Sequence, residues 1–238
     1  MNEKLSFPLK VSEICVSILS VRAMTAKIQQ EHQSVAFVID DDPTIRDGLS
    51  SLLRSVDIAV ETFASTADFL RSKRPDIPAC LILDVRLPGT SGLDFQEELC
   101  KRGVSMPIIF ITGHADVPMS VQAMKAGAVE FLCKPFREEE LLRAVRFAIK
   151  KDAVQRDKSS ALSVLHASFD SLTPREREVM AHIVSGLMNK QIAGKLNLSE
   201  ITVKVHRASI MRKMQARSLA ELVRQADALG VGRTEPDA

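Results

Sequence analysis

The chain has 238 residues, 45% of them hydrophobic and 26% charged, with a formal net charge of +2. That length favours two buried cores over one, and no apolar run approaches the roughly 20 residues that a membrane-spanning helix needs. The small net charge conceals an asymmetry: residues 34–150 carry 14 Lys+Arg against 17 Asp+Glu, and residues 170–230 carry 10 against 6, so an acidic front and a basic back point to different partners, with nucleic acid a candidate for the back.

Residues 1–33 match nothing downstream. Val11, Ile14, Ile18 and Leu19 fit a short amphipathic helix, and a second methionine, Met24, stands shortly before the first strand. The expectation is a disordered extension over 1–33, with translation beginning at Met24. The four cysteines (Cys15, Cys80, Cys100 and Cys133) show no CxxC pairing or metal-ligand spacing. They read as reduced, buried thiols of a cytoplasmic protein.

From residue 35 the pattern alternates. Apolar strands are predicted at 35–39, 58–63, 79–83, 107–111 and 129–133, and helices near 43–55, 65–72, 92–101, 117–126 and 138–151. Five β-then-α units with buried strands argue for an α/β domain, residues 34–150, built on a doubly wound parallel sheet. Such sheets carry their sites at the carboxyl ends of the strands. Those ends hold Asp40 and Asp41, Asp84, Thr112 and Lys134.

Taken singly, each has an ordinary role: a strand-end aspartate caps a turn, a threonine closes a strand, a lysine sits on the surface. The run "DDDP" also suits a helix start, with Pro43 at the first helical position and acidic groups near the positive end of the dipole. Together they supply an acidic pocket for Mg²⁺, a central carboxylate, a hydroxyl and an ammonium, the parts that stabilise a phosphoryl group on an aspartate. "DDDPT" also fits the Asp-x-Asp-x-Thr strand end of haloacid-dehalogenase-like phosphatases, with Asp40 as nucleophile and Asp42 as acid/base. That chemistry needs a further carboxylate pair after the lysine, whereas "PFREEELLRAV" is a helix start and leaves Asp84 without a role.

Residues 151–169 read as an extension of the last helix into a linker. Thr173, Pro174 and Glu176 form a capping box with proline at the first helical position. Gly186 ends that helix, Asn189 is expected to cap the next, and "SEITVKVHRASIMRKM" follows a short turn, so residues 170–230 form a small all-α helix-turn-helix domain. On a helical wheel Val203, His206, Ile210 and Met214 face the core. The opposite face presents Lys204, Val205, Ala208, Ser209 and Arg212, as a major-groove reader requires. His206 reads as a packed or phosphate-contacting histidine.

The motifs "VIDDD", "LILDVRLPGTSG", "FITGHAD" and "FLCKPF" resemble those of two-component receiver domains, and "LTPREREV", "GLMNKQIAGKL" and "TVKVHR" resemble LuxR-type effector domains. Residues 34–230 are thus similar to response regulators of the FixJ/NarL class, StyR-like ones among them. The resemblance implies that Asp84 is the phosphoacceptor. Asp40, Asp41, Asp84 and the Arg86 main-chain carbonyl would hold Mg²⁺, with Thr112 as switch hydroxyl, Lys134 pairing with the phosphoryl group through a cis Lys134–Pro135 bond, and Phe131 as switch aromatic. It implies base contacts from Lys204, Val205 and Ala208, and phosphate contacts from Lys190, Arg207, Arg212 and Lys213. The implied partners are a sensor histidine kinase, a palindromic operator in double-stranded DNA, RNA polymerase and, after phosphorylation, a second copy of the chain. The implied function is transcriptional regulation, most simply activation. The chain would be a substrate with catalytic features, not a turnover enzyme. A DNA-binding regulator with a purely structural receiver is the rival.

Overall fold

The computed structural model describes residues 34–114 and 116–231; the expectations for residues 1–33, including Cys15 and a start at Met24, fall outside them. Strands β1 (Val35–Ile39), β2 (Ala59–Phe63), β3 (Ala79–Asp84), β4 (Ile108–Thr112) and β5 (Glu130–Cys133) form one sheet. All pairings are parallel, in the order β2-β1-β3-β4-β5. Every strand lies within one residue of its predicted bounds. All residues of β1, β3 and β4 are buried, which explains their unbroken apolar runs: helices cover both faces.

Helices α1 (Pro43–Arg54), α2 (Thr66–Arg71), α3 (Gly92–Lys101), α4 (Val117–Lys125) and α5 (Glu138–Asp170) alternate with the strands. Successive strand residues serve opposite layers. Phe37, Leu81, Leu83 and Phe110 meet Phe69 of α2, Phe95 and Leu99 of α3 and Ala123 of α4. Val38, Ile82, Ile109 and Ile111 meet Leu49 and Leu53 of α1 and Leu141, Ala144, Val145 and Ala148 of α5. The first layer is locked by edge-to-face rings, Phe37 on Phe69 at 5.5 Å and Phe69 on Phe95 at 6.0 Å.

The chain divides into two compact units between Val154 and Gln155. Nothing in residues 138–170 stops a helix: no glycine or proline occurs there, and α5 runs 33 residues, so the extension expected beyond 151 is helical as far as Asp170. Its apolar stripe ends at the buried Asp152, whose Oδ2 accepts the amide of Ala79, the first residue of β3, at 2.9 Å. Farther on, Leu165 and Phe169 pack against the core of the second unit, so the stretch expected to be linker contributes to a core.

That second core joins α6 (Pro174–Val184), α7 (Asn189–Leu196), α8 (Glu200–Lys213) and α9 (Leu219–Leu229) around Val179, Met180, Ile183, Ile192, Val203, Ile210, Met214 and Leu222. The expected capping box opens α6: Thr173 Oγ1 accepts from the Glu176 amide at 3.2 Å, and Glu176 Oε2 accepts from the Thr173 amide at 2.8 Å. Two expectations fail here. Asn189 is the first residue of α7 rather than its cap; Gln191 Oε1 reaches back to the Met188 amide at 2.8 Å instead. Of the cysteines, Cys80 is buried but Cys100 and Cys133 are exposed, because one lies on the outer side of α3 and the other at the end of the edge strand β5.

Candidate functional site

The site collects at the carboxyl ends of β1, β3, β4 and β5. Lys134, directly after β5, places its ammonium between two carboxylates, 2.6 Å from Asp40 Oδ2 and 2.7 Å from Asp84 Oδ2. Its backbone is fixed too: the Lys134 amide donates to the Thr112 carbonyl at 2.7 Å, and the Lys134–Pro135 bond is cis, as expected. Asp40 is fully buried, and its Oδ1 accepts the Asp42 amide at 2.9 Å. Asp84, the last residue of β3, accepts the Arg86 amide on Oδ1 at 3.0 Å. One oxygen of each carboxylate therefore faces the lysine, and the other is oriented by a backbone amide.

Burial pushes the Asp40 carboxyl above its ordinary range, against the lowering effect of Lys134 and the Asp42 amide. At Lys134 burial favours the neutral amine, but the bonds to Asp40 and Asp84 outweigh it and the ammonium is held above its usual value. The two shifts look inconsistent for one ion pair. They agree once the pocket is seen as acid-rich: a single lysine serves two carboxylates and cannot fully compensate either.

Ligand oxygens of Asp40, Asp41 and Asp84 all lie within 4.8 Å of one another. Mg²⁺ bonds oxygen at about 2.0–2.1 Å, so two ligands of one ion stand up to about 4.2 Å apart. The donor set is hard and anionic, and its spread of up to 4.8 Å suits that ion with one carboxylate reaching it through water. Asp41 is exposed and free to ligate directly, whereas Asp40 is committed to Lys134 and Asp42, which suits contact through water.

Thr112 closes β4 and is fully buried; its hydroxyl donates to the His114 carbonyl at 3.2 Å and accepts the His114 amide at 3.3 Å. Phe131 is half-buried on β5, its ring 6.1 Å from Phe110. Asp42 acts only locally. It caps α1, accepting from the Thr44 amide at 2.8 Å, and this bond holds its carboxyl below the usual range.

Two residues that sequence reasoning missed complete the pocket. Arg46 braces the aspartate loop, donating to the carbonyls of Asp40 at 2.7 Å and Asp41 at 3.0 Å. Gly92, within "PGTSG", lies so close to β3 that a Cβ would fall 2.5 Å from the Asp84 carbonyl oxygen. Its amide donates to Val85 O at 2.8 Å. The motif contained the glycine; the close approach that requires it is visible only in three dimensions.

In the second unit α7 and α8 form the helix-turn-helix, joined by three residues with Asn197 left-handed at φ 52°. Val203 and Ile210 of α8 and Met214 at its C-cap are buried and His206 is partly so, as the wheel implied. Lys190, Lys204, Val205, Ala208 and Arg212 are exposed, while Arg207 is half-buried with its guanidinium 3.4 Å from Asn189 Oδ1. Ser209 and Lys213 are not on the outer face. Ser209 Oγ donates to Glu176 Oε1 at 2.7 Å, and Lys213 Nζ lies 2.7 Å from Glu176 Oε2 and 3.1 Å from the Ser171 carbonyl. Burial alone would raise Glu176, but these bonds and the Thr173 amide outweigh it and bring its carboxyl down to about 2. Glu176 is therefore the clamp between α6 and α8, a role invisible while it is seen only as a capping residue.

A doubly wound sheet with three clustered aspartates, a buried threonine and a lysine at its carboxyl edge defines a receiver, and the four-helix unit with its helix-turn-helix defines a DNA-binding effector. Residues 36–146 match the response regulator receiver domain, and residues 170–226 match the bacterial regulatory proteins of the luxR family. The chain is 50% identical over 199 residues to Nodulation protein W of Bradyrhizobium diazoefficiens, covering 84% of this chain and 88% of that protein. It is 48% identical over 199 residues to response regulator protein TodT of Pseudomonas putida, covering 84% and 88%. The solved structure of response regulator StyR is 48% identical and matches with a TM-score of 0.76, covering 82% of this chain and 98% of that one. The chain belongs to the two-component response regulators that join a receiver to a LuxR-type DNA-binding domain, and it is a transcriptional regulator. The phosphatase alternative falls with that membership. No helix among the described residues is long and apolar enough to cross a membrane.

Proposed function

We propose that Asp84 accepts a phosphoryl group from a sensor histidine kinase and that its phosphorylation switches the chain from resting to DNA-binding form in the cytoplasm. The observation that carries this reading is Lys134, whose ammonium bridges Asp84 and Asp40 within 2.7 Å. An aspartate so placed has one oxygen oriented by the Arg86 amide and one beside a cation able to pair with an incoming phosphoryl oxygen. The carboxylate attacks phosphorus, the bond to the donor histidine breaks, and an acyl phosphate remains. Mg²⁺, held by Asp40, Asp41, Asp84 and the Arg86 carbonyl, would neutralise charge on the transferred group.

Thr112 then exchanges its His114 partner for the phosphoryl group and Phe131 turns inward, changing the surface of α4, β5 and the start of α5. That surface has an unpartnered apolar side, with Val117 75% exposed and Val121 and Met124 nearly half exposed, which supports pairing with a second copy. A two-fold pair carries two copies of α8 to a palindromic operator, where Lys204, Val205 and Ala208 face bases and Lys190, Arg207 and Arg212 contact phosphates. We assign Lys213 to the Glu176 clamp instead. RNA polymerase is the downstream partner, and activation the expected output.

Incubation with Mg²⁺ and acetyl phosphate tests this. One alkali-labile phosphate should appear on Asp84, vanish in Asp84→Asn, and be accompanied by a rise in dimer mass and operator affinity. A wild-type chain that takes no label yet binds its operator would instead establish the rival, a receiver that is only structural.

A further inference from the structure

The outer face of α8 carries a feature that phosphate attraction does not explain. Ile201 is 75% exposed and Val205 64% exposed, and Ala208 is exposed beside them. At about 100° per residue these three lie within roughly 60° of one another, and Val203 and Ile210 lie on the opposite side of the helix. Branched apolar side chains on a short solvated helix gain nothing from water. The same face is bordered by the exposed cations Lys204 and Arg212, so its surroundings suit a polyanion and not the apolar face of another protein.

An apolar side chain cannot exchange hydrogen bonds with a base edge. The apolar group that an ordinary base pair presents in the major groove is the C5 methyl of thymine. Ile201 and Val205 are four residues apart, about 6 Å along the axis, close to two base-pair steps. Ala208 extends the stripe to about 10 Å, close to three steps.

We propose that Ile201, Val205 and Ala208 form a thymine-reading stripe, so that each operator half-site carries thymine methyls at two or three positions within about four base pairs, next to the base contacted by Lys204. This rests on the placement of α8 in the major groove. It adds Ile201 as a specificity-determining residue and names the chemistry being read. The stripe discriminates by methyl contact, and Lys204 by hydrogen bonding.

The test uses the full-length chain treated with acetyl phosphate and Mg²⁺. A duplex selected from random sequence is remade with each thymine replaced singly by uracil, which removes only the methyl. At two or three positions per half-site, affinity should fall about four-fold, the contribution expected of one buried methyl. Val205→Ser and Ile201→Ser remove the side-chain methyls at exposed positions. Each should bind the thymine duplex more weakly and lose sensitivity to uracil at its own position, with an unchanged thermal midpoint. Sequence-specific binding that is indifferent to every uracil replacement would overturn the stripe while leaving the placement of α8 intact. Variants that change the mass in solution with DNA affinity unaltered would overturn it as well, by making the stripe a protein contact. A chain that prefers no duplex over random DNA would defeat the major-groove placement, and the stripe with it.

Discussion

Replacing Glu176 by Gln isolates the charge that fixes α8 to α6. Glutamine still caps α6 by accepting the Thr173 amide on its one carbonyl oxygen, and its amide nitrogen can donate to Ser209 Oγ, but it leaves the Lys213 ammonium without its anion. The folded carboxyl lies at about 2 against an ordinary 4.5, which corresponds to roughly 3 kcal/mol of preference for the ionised form. The Glu176 side chain is 6% exposed but its Lys213 partner is 28% exposed, so solvent screening takes part of this away. Because the folded value is depressed, the contribution is fully present above pH 4.5 and is lost as pH falls through about 2. Amide exchange of Val179, Met180 and Ile183 in the full-length chain reads the opening of this core. At pH 7 Glu176→Gln should lower the opening free energy by about 2–3 kcal/mol, and by pH 3 the gap to wild type should shrink to about 1 kcal/mol. Comparing variant with wild type at each pH cancels the other titrating groups. Equal protection at pH 7, or a gap that stays constant from pH 5 to pH 3, would refute the clamp.

Mg²⁺ at ten times its dissociation constant should stabilise the receiver by about 1.4 kcal/mol, seen as a higher thermal midpoint that EDTA abolishes and Asp41→Asn reduces. Because Asp40 is raised above its ordinary 3.8, that stabilisation should begin to fade at a pH above the usual carboxylate value. Gly92→Ala sets a methyl against the Asp84 backbone and should destabilise the receiver by about 1–3 kcal/mol and slow acetyl phosphate labelling; thermal melts and labelling rates check both. Lys190→Ala should weaken binding to all DNA and flatten its salt dependence, whereas Lys204→Ala should hurt operator binding more than random binding; titrations at several salt concentrations separate the two.

The receiver was legible because its information is local. Strands buried on both faces show as continuous apolar runs, and in a parallel sheet the carboxyl end of each run is a site position, so Asp40, Asp84, Thr112 and Lys134 follow from strand bounds alone. What escaped depends on partners distant in sequence. Ser209 looked solvent-facing on a wheel, but Glu176 lies 33 residues earlier and draws it inward. Cys133 belongs to an apolar strand, yet an edge strand leaves its end open. Asn189 has the right chemistry for a cap, but Gln191 satisfies the Met188 amide and shifts the helix start by one residue. The full length of α5 is hidden because its apolar period lapses after Ala148, although nothing there breaks a helix.

The tail of α5 changes where this protein can be divided. Leu165 and Phe169 pack against the second core, and the Arg177 guanidinium stacks over the Phe169 ring at 5.0 Å. The luxR-family match begins only at residue 170. A DNA-binding fragment cut at that boundary would lose both of these side chains, one of them the ring beneath Arg177. The seam that can be recombined therefore lies upstream, between Val154 and Leu165. A chimaera pairing this effector with another receiver should inherit the last turns of the helix from the effector's parent.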